Sequence, residues 1–138
     1  MFSKLNAPLL TGVFILLYGS ISFADECTNP QTQMALSDCA ARSLEESDAS
    51  LNLVYGELRK RLADDPDTTE LLVNSQRNWM AFRDAECEFS SSGVRTGSAY
   101  PLMLSTCLDQ LTQQRTSGLK VYLKCVEGDM GCPIPPEN

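Results

Sequence analysis

The chain has 138 residues, a net charge of −7, six cysteines and no histidine. An acidic balance this strong disfavours nucleic acid and anionic lipid as partners and favours a basic protein. Without histidine, a Cys-x-x-Cys pair, a Gly-rich phosphate loop or a nucleophile elbow, the sequence argues against a metal, a cofactor and an enzyme.

Residues 1–24 read as a secretory leader. Lys4 supplies the positive start, 9–18 the apolar stretch, and Ser22-Phe23-Ala24 a small-x-small cleavage site. The apolar run, interrupted near Pro8 and Gly12, is short for a membrane span. Cleavage after Ala24 leaves a periplasmic or secreted chain with no membrane anchor, one unit more negative for the loss of Lys4. The mature chain reads as one helical domain, 25–124, and an irregular tail, 125–138, where Gly and Pro interrupt regular structure. Six cysteines in an exported chain this short imply a disulfide framework.

The spacing predicts a first helix over about 32–62. Its stripe is Leu44, Asp48, Leu51, Tyr55, Leu58 and Leu62, alternating by four and three like a helix-pair seam. Pro66 breaks it. Asp67 and Glu70 then form a capping box, Asp67 as N-cap, for a second helix over about 68–88. That helix carries the sole tryptophan, Trp79, and a stripe of Leu72, Gln76, Met80, Arg83 and Cys87. So short a connection makes the two helices an antiparallel hairpin. Facing Leu62 with Thr69 sets the register: Leu58 meets Val73, Tyr55 meets Gln76, Leu51 meets Met80, Asp48 meets Arg83, and Leu44 meets Cys87. Each polar seam residue then finds a polar partner, and Asp48–Arg83 reads first as a structural ion pair.

Residues 88–97 form a Ser/Gly-rich loop. A third helix comes after it, with Ser98 as a plausible cap and Pro101 in its first turn. Its stripe is Leu104, Leu108, Leu111, Arg115, Gly118 and Tyr122. Asp84 and Asp109 are candidate counter-ions for Arg115, unless its guanidinium only snorkels to solvent. The expected class is all-α: an antiparallel helical hairpin plus a third helix, stapled by disulfides. The expected pairing is sequential, Cys27–Cys39, Cys87–Cys107 and Cys125–Cys132; crossing between the first two groups is the alternative that the topology permits.

The string Gln76-x-x-Trp79-x-x-x-Arg83-Asp84-x-x-Cys87 is distinctive. With Cys27, Cys39, Asp48, Asn52, Tyr55, Gly97-Ser98, Cys107, Thr112 and Arg115, it resembles the LprI-type family of lysozyme-inhibitor-like envelope proteins. The resemblance implies a helical, disulfide-bonded, exported protein whose motif residues are fold determinants. It also implies inhibition of a basic, lysozyme-type muramidase by occlusion of its cleft. The tethered loop is the expected contact, with Ser91, Arg95, Ser98 and Tyr100 reaching cleft carboxylates. The alternative is another interaction role, such as toxin neutralisation or envelope stress. Carboxylate pairs at helical spacing, Glu45/Asp48 and Asp84/Glu88, arise by chance in so acidic a chain.

Overall fold

The computed structural model describes residues 27–136, so the leader expected at 1–24 lies outside the described residues. The described residues form three α-helices: α1, Gln33–Arg61; α2, Pro66–Ser90; and α3, Tyr100–Tyr122. A single 3-10 turn, Ser92–Val94, links the last two. Among the described residues there is no strand, and the class is all-α with disulfides.

Local chemistry sets the helix ends. The Thr32 hydroxyl accepts from the Ala35 N–H at 3.1 Å and caps α1. Arg59, Lys60 and Arg61 fill its last turn, where cations complement the helix dipole. α2 starts earlier than the capping box predicts. Asp65, not Asp67, is the N-cap, its Oδ1 accepting from the Thr68 N–H at 3.0 Å. Pro66 therefore opens α2 as well as ending the turn, because a missing N–H costs nothing in the first helical positions. Ser98 does not cap α3 either. Ala99 holds that position without a side-chain bond, and the Ser98 hydroxyl donates to Gln33 Oε1 at 3.4 Å.

The third helix is the centre of the bundle, and the antiparallel α1–α2 hairpin packs on it. α1 packs along α3, α2 leans on α3 more lightly, and the α1 and α2 backbones hardly meet. α1 and α3 run parallel. Gln33–Ser98, Ser43–Asp109, Asp48–Thr112 and Arg61–Leu123 are bonded pairs whose sequence separations stay between 62 and 66. α2 runs antiparallel to both. Leu51, Val54, Leu58 and Leu62 meet Leu119 in the core, with Tyr55, Leu72, Trp79 and Leu123 at its edge.

This arrangement corrects the predicted seam. Asp48–Arg83 forms as the register requires. Tyr55–Gln76 does not, because Gln76 turns to Arg115 on α3. Leu51–Met80 does not, because Met80 faces outward, 45% exposed. The buried face of α1 is Ser47, Leu51, Val54 and Leu58, rotated toward α3 by about one position. On α3 the deepest residues are Asp109, Thr112, Thr116 and Leu119. The expected apolar stripe of α3 is only half-buried through Leu104, Leu108, Leu111 and Arg115, and Gly118 and Tyr122 are exposed.

The disulfides join Cys27 to Cys39, Cys87 to Cys107 and Cys125 to Cys132. The tail beyond α3 forms no helix, yet it buries Cys125 and Ile134 against the core.

Candidate functional site

The polar contacts between the helices fix what the surface can present. The Arg83 side chain, only 12% exposed, ties all three helices together. Its Nη1 donates to Asp48 Oδ1 on α1 at 3.0 Å and to the Thr112 hydroxyl on α3 at 3.1 Å. Its Nε donates to Asp84 Oδ1 at 2.9 Å. The Thr112 hydroxyl donates in turn to Asp48 Oδ1 at 3.4 Å. One turn before Arg83, Trp79 offers its ring to two guanidiniums, Arg83 at 5.3 Å and Arg115 at 5.8 Å.

Arg115 is held by neutral partners. Its Nε donates to Gln76 Oε1 at 3.1 Å and its Nη2 to the Ser75 hydroxyl at 3.0 Å. Burial lowers its pKa, and the interaction with Tyr122 acts in the opposite sense. Neither predicted counter-ion serves it. Asp84 is taken by Arg83, and Asp109 accepts from Ser43 at 2.9 Å and from Gln113 at 3.0 Å. Burial pushes the Asp109 carboxyl upward, but hydrogen bonds from Gln113, Ser47 and Ser43 outweigh it and hold the pKa below the usual value. Asn52, on the same helix as Asp48, is exposed, and Tyr55 is half-buried at the core edge. Of the four acids that helical spacing had paired, three are engaged with cations, Asp48 and Asp84 with Arg83 and Glu88 with Arg95 at 3.8 Å, and Glu45 is exposed.

The tethered loop is braced at its base by Cys87–Cys107. Of its four predicted contact residues, Ser91 is misplaced for the role. It is 2% exposed, and it serves as the C-cap of α2, its N–H donating to the Cys87 carbonyl and its own carbonyl accepting from Val94. Arg95 and Ser98 are exposed, though Ser98 is engaged with Gln33; Tyr100 is half-buried at the start of α3. Sequence reasoning passed over three exposed apolar side chains on this segment and its flanks: Phe89, Val94 and Met103, the first 75% exposed. Their signal was available. Phe89 and Met103 are large apolar residues lying off the predicted core stripes, where solvent or a partner is the alternative environment.

A second surface feature lies toward the opposite end. Between α1 and α2 an open groove is lined by Tyr55, Arg59, Lys60, Glu70, Val73 and Arg77.

The fold and its half-buried clasp define a small disulfide-braced, all-α protein. The chain belongs to the LprI family: the family model described as "Lysozyme inhibitor LprI" matches residues 24–119. An uncharacterized protein of Rhizobium meliloti (strain 1021) is 33% identical over 113 residues, covering 74% of this chain and 81% of that protein. No solved structure matches the chain. The Cys125–Cys132 bridge lies beyond the matched residues.

Proposed function

We propose that the protein is an exported inhibitor of a lysozyme-type muramidase that acts by occluding the saccharide cleft, with no covalent chemistry of its own. The observation that carries this reading is the family membership over residues 24–119. Charge supports it. A chain of net charge −7 and pI near 4.5 is steered toward a basic enzyme, and such steering raises the association rate. The loop end offers the contact. Arg95, Ser98 and Tyr100 share this segment and its flanks with exposed Phe89, Val94 and Met103, on a base fixed by Cys87–Cys107. Exposed apolar side chains with polar neighbours are the usual material of a binding patch, and a rigid base lowers the ordering cost. Arg95 faces only a loose, exposed ion pair with Glu88, so a carboxylate of the partner can take its place.

The test adds increasing amounts of the protein, without its leader, to a basic lysozyme and follows clearing of a cell-wall suspension. The expected outcome is a dose-dependent slowing. Undiminished lysis at molar excess removes the proposal for that enzyme. Phe89→Ala and Arg95→Glu each weaken inhibition about tenfold or more, as central anchors do. Both side chains are exposed, so the thermal midpoint stays where it was.

A further inference from the structure

We propose that the groove between α1 and α2 is a binding site for an acidic peptide segment, separate from the loop face assigned above to a muramidase. The groove results from the packing. Because α1 and α2 both rest on α3 and their backbones hardly meet, their crease stays open at this end, with a volume of about 830 Å³. That is within the range of sites that enclose small ligands and peptide anchors.

Its charge runs against the rest of the chain. Arg59 and Lys60 come from α1 and Arg77 from α2, opposed within the groove by Glu70 alone, on a chain of net charge −7. Elsewhere the arginines are engaged: Arg83 and Arg115 in the interior clasp, Arg95 with Glu88. Arg59 and Arg77 are exposed and make no hydrogen bond or ion pair among the described residues. Lys60 has only a 3.9 Å approach to Glu57. The C-terminal end of α1 and the N-terminal end of α2 meet near this groove, and their opposite dipole ends offset one another. Side-chain charge therefore decides the local balance, and the three cations of the lining against one carboxylate favour an anion.

The half-buried wall residues select the kind of anion. Tyr55 and Val73 supply apolar surface, with Ala63 and Pro66 beside them. Beside the Tyr55 hydroxyl, Thr69 and Asn74 are the neutral polar side chains of the lining, and the Thr69 hydroxyl already donates to the Leu62 carbonyl, which leaves too few groups for the many hydroxyl contacts of a sugar chain. Carboxylates on Arg59, Lys60 and Arg77, with an aliphatic side chain on Tyr55 and Val73, fit an acidic peptide. Arginine gives such carboxylates two parallel hydrogen bonds. The site is distinct from the loop end. Tyr55 lies about 30 Å along α1 from Gln33, which bonds the loop at Ser98.

The experiment titrates the leaderless protein with a fluorescent peptide of alternating Glu and Leu. Controls are the same peptide with Gln for Glu, and an oligouronate of equal charge. The expected result is saturable binding of the Glu peptide, at least about tenfold tighter than either control. The double variant Arg59→Gln/Arg77→Gln weakens it by about tenfold or more and lowers the thermal midpoint only slightly, through the loss of one of three cations in the last turn of α1. Equal binding of the Glu and Gln peptides overturns the proposal. So does uronate binding as tight as the peptide's, or a double variant that binds as well as the parent. Lysozyme inhibition by the double variant is read separately, so failure here leaves the loop-face reading to its own test.

Discussion

Arg83 concentrates more structure than any other side chain in the protein, because one guanidinium serves acceptors on three helices. Replacing it with Ala strands Asp48 and Thr112 and removes a cation from the Trp79 face, so the expected loss is about 2–3 kcal/mol in urea unfolding. Asp48→Asn costs less, about 1 kcal/mol or under, since that carboxylate is 42% exposed and water compensates for it. A double-mutant cycle reports the coupling between them, and a value near zero would contradict the clasp. Asp109 makes the complementary prediction in pH. Its pKa is held below the ordinary 3.8, so the folded state gains from the ionised form at neutral pH. That contribution is present above 3.8 and is lost as pH falls through the lowered value. Asp109→Asn is therefore destabilised near neutrality and converges on the parent in acid, as thermal midpoints across pH will show. The Asp48–Arg83 pair was legible in the sequence because both residues interrupt apolar stripes at matched distances from the turn. The partners of Arg115 were not. Ser75 and Gln76 carry no charge, and stacking on Trp79 leaves no signature in spacing.

Element by element, the chain announces its helices better than their neighbours. The three helices and the break at Pro66 are readable from periodicity and punctuation. The packing order is not, because a stripe says which face is buried and not which helix buries it. α3 hides a polar stripe, Asp109, Thr112 and Thr116, whose oxygens are satisfied by α1, by α2 and by its own backbone. A pattern read for apolar residues alone turns that helix outward, and it leaves α1 and α2 as each other's only partners. The caps show the same limit at shorter range. Asp65 and Asp67 both precede a helix-forming run, and both have a plausible acceptor role. The choice falls to Asp65 because Pro66 belongs in the first turn, and the Thr68 N–H then points back at Asp65. Asp65→Ala should lower the thermal midpoint and fray the start of α2 in amide exchange. Asp67→Ala should change little, since its side chain caps nothing. The bonds from Thr68 also lower the Asp65 pKa, so the cap is present above 3.8 and weakens as pH drops through the shifted value.

At the scale of the whole molecule, the core is thin, and the segment after α3 completes it. Leu58, Leu62 and Leu119 are almost fully buried, and Ile134 closes over this cluster at 4% exposure although it lies beyond the family-matched residues. Nothing in the tail's Gly- and Pro-rich sequence marks Ile134 as a core residue, because it lies on no periodic face. What seats it is the bridge between Cys125, itself buried, and Cys132 two residues before it. Ile134→Ala should cost about 2–3 kcal/mol, as loss of a buried aliphatic side chain does. Replacing both cysteines with Ser should cost a similar amount, about 2 kcal/mol, from loop closure over a separation of 7 residues. The two effects share one mechanism, so they should not add. Once the bridge is gone, the tail leaves the core in most molecules, and Ile134→Ala has little left to remove. Denaturant midpoints of the four variants decide it. If Ile134→Ala costs as much without the bridge as with it, the side chain seats itself and the disulfide only trims the unfolded chain.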